Sequence, residues 1–207
     1  MIEQPTTSPL PPVRPSAVRY LKLGPGNRWF AGCRAQQRLE LGHRDAAHEL
    51  ALNGQWSALE AHYVNELGKS RSKARDFVRE LRDFYTLDAA TLWVTFAEGY
   101  LWWAQADLPV AWLGGDGEAH GQRMRPTRGP WRCGNIHGEP LRQLELSSQL
   151  TQVAAYRQTL CRIKAADYLV RKINGETEPL VAQAQQAESA LIAVTADLIA
   201  GLHWRDF

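Results

Sequence analysis

Long apolar runs, clustered cysteines and a strong charge bias are all missing from this 207-residue sequence, and each absence removes a class of protein. No stretch approaches the roughly 20 consecutive apolar residues that a membrane-spanning helix requires, so no transmembrane segment is expected. The first 16 residues, Met1 to Ser16, are rich in Pro, Thr and Ser and contain no apolar run of the kind a secretory signal carries. They read as a disordered lead-in, and the expected location is cytoplasmic. Cysteine is scarce: Cys33, Cys133 and Cys161 are an odd number at wide intervals, which supports neither a disulfide framework nor a Cys-x-x-Cys metal knuckle. They are expected as reduced, packed thiols.

Motifs that carry chemistry are equally thin. His43 and His48 stand too far apart for the one-turn ligand pair of a zinc helix, no Glu completes a His-Glu-x-x-His pattern, and His120 and His137 fall in separate loops. No metal is expected. A nucleophilic thiol needs a lowered pKa and a His held beside it, and the order of residues supplies neither. Gly24-Pro25-Gly26 and Gly114-Gly115-Asp116-Gly117 lack both the Lys-Ser/Thr of a nucleotide loop and the Gly-x-Gly-x-x-Gly fingerprint, so both read as turns. A turn ahead of a short helix can still offer unpaired N–H groups to a phosphate, which gives Asn27 and its neighbours a second reading. No catalytic residue and no cofactor is assigned. The net charge of +2 is too mild to demand a polyanionic partner, so local clusters must carry that argument.

What is present is a chain of ordinary globular composition, 44% hydrophobic and 22% charged, long enough for one domain with a core or one domain plus an appendage. Val18 to Leu23 alternates and stops at Gly24-Pro25-Gly26, which reads as a strand and turn. Asn27 is placed to cap a short helix carrying Trp29, Phe30 and Cys33 on one side, and Arg38 to Leu41 resumes an extended pattern. From Asp45 to Tyr85 the spacing turns helical: two helices part at Asn53-Gly54, and a third begins near Ser70 or Ser72. Ala90 to Gln105 then packs aromatic and β-branched residues around Glu98-Gly99, a hairpin. Gly and Pro break up residues 106–131 into loops and short strands. A further short strand is expected over Ala154 to Ile163, and a helix over Ala165 to Ile173 that Asn174-Gly175 ends. From Pro179, the spacing of Leu180, Ala184, Ala187, Leu191, Val194, Leu198 and Leu202 predicts a long amphipathic helix in need of a partner surface. The fold class is α+β, divided as residues 1–16, 17–175 and 178–207.

Two features point to a ligand. Trp93, Phe96, Tyr100, Trp102 and Trp103 give the hairpin more ring surface than a small sheet needs, although most such rings fill cores. Trp102 and Trp103 are neighbours on a strand, so they face opposite ways, and one of them is expected at an added layer, a groove or solvent. Charge is the second feature. Lys69, Arg71, Lys73 and Arg75 open the third helix, either as a solvated face balanced by Asp76, Glu80 and Asp83 or as a patch that follows phosphates. Arg123, Arg125, Arg128 and Arg132 form another basic cluster around Met124 and Trp131.

The order of these parts, with the segment LWVTFAEGYLWWAQA and its Arg/Trp continuation, resembles the PUA-like group that includes EVE and ASCH domains, over roughly Arg19 to Ile163. The resemblance implies a small β-barrel with flanking helices that binds RNA or a modified base in DNA, often in an aromatic-lined pocket accepting a flipped base. The last residues, LIAGLHWRDF, resemble the opening of Mrr-like restriction endonuclease domains. That likeness implies the specificity part of a restriction or defence system, with the nuclease in a further domain or another chain and no cleavage by these 207 residues alone. On this reading Trp29, Trp102 and Trp103 stack on the base. Lys22 and Asn27 contact its edge or a phosphate, and Arg71, Lys73, Arg75, Arg123 and Arg125 position the strand. Two other readings compete: an interaction module whose C-terminal helix pairs with a copy of itself or with another protein, and a small hydrolase or nuclease acting through His43, His48 or an unassigned set of carboxylates.

Overall fold

The computed structural model describes residues 10–115, 117–156 and 158–176. The expected C-terminal helix over 178–207 lies outside the described residues. Residues 10–16 of the lead-in are tied down: Leu10 N–H donates to the Ile136 carbonyl, Val13 N–H to Asn174 Oδ1, and Ser16 Oγ to Asp88.

The protein is α+β, built on one four-stranded sheet ordered β4-β3-β1-β7. β1 (Val18–Leu21) runs parallel to β3 (Leu92–Ala97) and antiparallel to β7 (Leu160–Arg162), while β3 and β4 (Tyr100–Gln105) form the aromatic hairpin. Glu98 and Gly99 turn that hairpin with φ of 54° and 80°, the two positive values that a tight turn matching strand twist requires. Alternation then splits the side chains between two cores. Trp93 and Trp102 join Leu81 and Phe84 on one face; Val94, Phe96, Leu101 and Trp103 join Leu150, Leu169 and Ile173 on the other. The adjacent indoles do point opposite ways, but both faces of the sheet are covered.

A second sheet, ordered β2-β6-β5, contains β2 (Arg38–Leu41), β6 (Arg123–Pro126) and β5 (Ala111–Trp112). Single bridges Trp103 to Arg132 and Ala106 to Thr127 join it to the outer edge of β4. The strands of the described residues do not close into a barrel.

Helices cover the first core. α1 (Phe30–Ala35) buries Phe30 and Cys33, and α2 (His48–Leu52) and α3 (Trp56–Asn65) lead to the long α4 (Arg71–Thr86). Ala74, Val78, Leu81, Phe84 and Tyr85 recur at three and four residues and are the buried stripe of α4. Ser70 caps it, its Oγ accepting from Lys73 N–H. Two local expectations give way. Asn27 does not cap α1: it has φ 60°, its Oδ1 accepts from Leu23 N–H and its Nδ2 donates to the Phe96 carbonyl, so it latches the loop to β3. The strand expected over Ala154 to Ile163 shortens to β7, because Ser147 caps α5 (Ser148–Thr151) and a 3-10 turn, Gln152–Ala155, follows. α6 (Ala166–Ile173) ends at Gly175, φ 65°, with Glu176 N–H donating to the Arg171 carbonyl and Gly175 N–H to that of Lys172, the left-handed stop that the Asn-Gly pair predicts. No helix among the described residues is long and apolar enough to cross a membrane.

Candidate functional site

The three indoles expected to stack on a base lie inside. Trp29 is 6% exposed, Trp102 8% and Trp103 5%. Trp29 lies flat on Gly24, where an added Cβ would stand 2.5 Å from the ring, and its Nε1 donates to the Glu118 carbonyl. Trp102 Nε1 donates to the Ala97 carbonyl and Trp103 Nε1 to that of Gly134. Lys22 donates its ammonium to the Tyr156 carbonyl, at the same end of β1 as the Asn27 latch. These polar groups hold loops together.

Arg123 and Arg125, expected along a phosphate-facing surface, are instead fully buried. Arg123 donates to the Tyr85 hydroxyl at 2.8 Å and to the carbonyls of Gly42, His43 and Ala46. Arg125 donates to the carbonyls of Asp107, Phe84 and Ala106. The physical reason is the geometry of the guanidinium, whose planar fork of donors satisfies several backbone acceptors that loops and helix ends leave unpaired. Burial lowers the Arg125 pKa to about 10, with Asp107 opposing the shift.

The helical cluster behaves differently. Arg71, Lys73 and Arg75 are exposed on the first turns of α4, where the helix dipole adds to their attraction for anions. Arg75 Nε reaches Glu60 Oε1 on α3 at 3.3 Å across exposed surface, a contact of small energetic weight. Further along α4, the Arg82 guanidinium lies over the Trp56 ring at 5.4 Å. From Trp56 the contacts continue without a break: its ring meets Tyr85 edge-on at 6.5 Å, Tyr85 OH and His48 Nδ1 are 2.7 Å apart, and the His48 ring lies 5.5 Å from Trp112 at 34°. Trp112 is 45% exposed, and the Arg123 guanidinium lies 4.9 Å from its ring.

Trp112 is the residue that the sequence reading passed over. β5 is two residues long at a sheet edge, where Trp112 pairs directly with Arg123 and projects beside it toward His48, and the edge position leaves its ring only partly covered. The available signal was an isolated Trp between Pro109 and the Gly114-Gly115 turn, outside the richer hairpin. The surface therefore unites the α4 cations with an open indole, while Arg123 lies beside that indole.

Burial pushes the Cys33 thiol up and raises Cys161 to about 11. Burial, with the Arg123 charge, lowers the His48 pKa, and Glu49 opposes the shift. Among the described residues no group of three or more His, Cys, Asp or Glu is placed to hold a metal ion. No family model, curated protein or solved structure matches this chain.

Proposed function

We propose that this chain is a nucleic-acid recognition module that binds through the surface running from Arg71 to Trp112, without catalysing a reaction itself. The observation that carries the reading is the series of contacts that runs from the exposed Arg82 of α4 through Trp56, Tyr85 and His48 to the half-exposed Trp112 indole, on the helix that also exposes Arg71, Lys73 and Arg75. Cations hold a phosphate chain and supply most of the affinity, and a flat ring meets a base. The mixed sheet bridged to a smaller one is compatible with an open-sided relative of the PUA-like barrel. With the Mrr-like last residues, that likeness favours the narrower form of the proposal, a specificity module reading a modified base in DNA for a restriction or defence system.

Binding of the chain to labelled DNA and RNA, with and without modified cytosine, across a salt series tests the reading. Affinity falls as salt rises, because each phosphate contact releases counterions. Arg71→Glu with Lys73→Glu weakens binding at least tenfold at low salt, the scale of two lost charge contacts made repulsive. A chain that binds no nucleic acid and runs as a stable dimer overturns the proposal in favour of an interaction module.

A further inference from the structure

Resting on that reading, we infer that the surface takes an unpaired strand in preference to a duplex, with one base lying on the exposed ring of Trp112 and the sugar-phosphate chain following α4. Arg123 is fully buried and lies 4.9 Å from the Trp112 ring, His48 packs at 5.5 Å, and the residue keeps 45% of its surface exposed. The face of an indole can meet only a base whose own face is uncovered. In a duplex every base is covered by its neighbours in the stack, so the base that lies on Trp112 is unpaired or extruded. The cation and imidazole beside it fix the ring in place, which removes ordering cost on binding.

The charges agree. Arg71, Arg75 and Arg82 stand at i, i+4 and i+11 on α4, within about 40° of one line along the helix, with steps of about 6 and about 10 Å along its axis. Arg79 flanks these three and is tied to Asp76, and Lys73 stands about 160° away from Arg75 around the helix. A duplex presents two backbones flanking a groove of about 12 Å, and holding both calls for cations on two sides. Beyond Trp112 the chain from Leu113 to Gln122 contains no Lys or Arg. One row of cations beside one open ring matches one strand.

The test compares oligo(dT) and oligo(rU) with a hairpin duplex of the same number of phosphates, titrated into the full chain at low salt. The single strands are expected to bind about tenfold more tightly than the duplex and to quench tryptophan fluorescence. With three cations engaged (Arg71, Arg75 and Arg82), the slope of log K on log salt is expected to be about −2, from about 0.7 counterions per single-strand contact. Trp112→Ala, at a half-exposed position that leaves the fold intact, weakens single-strand binding roughly 5- to 100-fold, the loss of one base stack. Trp112→Phe restores most of it, and duplex affinity is unchanged by either. Equal or tighter binding of the duplex, or a Trp112→Ala chain that binds single strands like the parent, overturns this inference and leaves the nucleic-acid reading standing. Failure of all the oligonucleotides to bind at low salt overturns both.

Discussion

Arg123 and Arg125 show what position does to a side chain that sequence labels only as basic. Each guanidinium donates to backbone carbonyls from segments far apart in the chain: Gly42, His43 and Ala46 for Arg123, and Phe84 and Ala106 among those for Arg125. Replacing Arg123 by Met keeps most of the volume but strands the Gly42 and Ala46 carbonyls, while the His43 carbonyl keeps the Ala46 N–H and the Tyr85 hydroxyl keeps His48. Each unmet buried group costs about 1–3 kcal/mol, so a loss of about 3 kcal/mol or more is expected in equilibrium urea unfolding. Arg71→Met, on exposed α4, is expected to change stability by no more than about 0.5 kcal/mol while weakening binding. If Arg123→Met leaves the unfolding midpoint in place, the caged description is wrong. The thiols divide in a comparable way. Cys33 and Cys161 are buried and Cys133 is only partly so, with burial pushing the first two thiols up. At neutral pH a thiol reagent is therefore expected to modify Cys133 first, and all three only in denaturant.

Elements were legible where their own residues decide them. The stripe of Ala74, Val78, Leu81 and Phe84 and the Ser70 cap define α4 from within its own sequence, and Glu98-Gly99 does the same for the hairpin. What was not legible depends on partners distant in sequence. Asn27 sits where a helix cap belongs, yet the Phe96 carbonyl claims its amide. The outward Trp102 or Trp103 expected from strand alternation found a core on each face, a fact of layering that no local pattern records. The partly covered indole arose on the shortest strand, at the edge of its sheet. Glu80 is a further case: a buried carboxylate on α4 accepts from Leu160 N–H on edge strand β7 at 3.2 Å and lies 3.1 Å from His43 Nε2. It thereby closes part of an otherwise unpaired strand edge. Glu80→Ala is expected to cost about 2–3 kcal/mol through the unpaired amide and imidazole, and to speed amide exchange at Leu160 more than at β3. Uniform exchange across the sheet would show instead that Glu80 acts only through global stability. Ser70→Ala is the milder test, expected near 1 kcal/mol or below because its cap bond is long at 3.4 Å.

At the scale of the molecule, the four-stranded sheet separates two cores, and each holds neutral acids that burial keeps protonated. Burial raises Tyr20 to about 12, partly offset by its hydrogen bond with Asn27, and Cys161 to about 11, in the core under α6. Cys33, Tyr63 and Tyr85, in the core under α4, are raised by burial as well. For an acid whose folded pKa exceeds its unfolded value, the stabilising contribution is complete below the unfolded pKa and disappears as pH climbs through the folded one. Unfolded thiols and phenols titrate near 8.5 and 10. Stability should thus hold steady to about pH 8.5 and fall between about pH 9 and 12. Two units on Tyr20 alone amount to at most about 2–3 kcal/mol, and several such groups together rival the 5–15 kcal/mol that holds a domain folded. Because the two cores share a sheet, the phenolate absorbance of the buried Tyr20, Tyr63 and Tyr85 and the far-ultraviolet ellipticity are expected to change together, in one transition at about pH 11. Titration of these three phenols at about pH 10 while the ellipticity stays constant, read with the other tyrosines replaced by Phe, would mean that water reaches both cores and that neither is sealed.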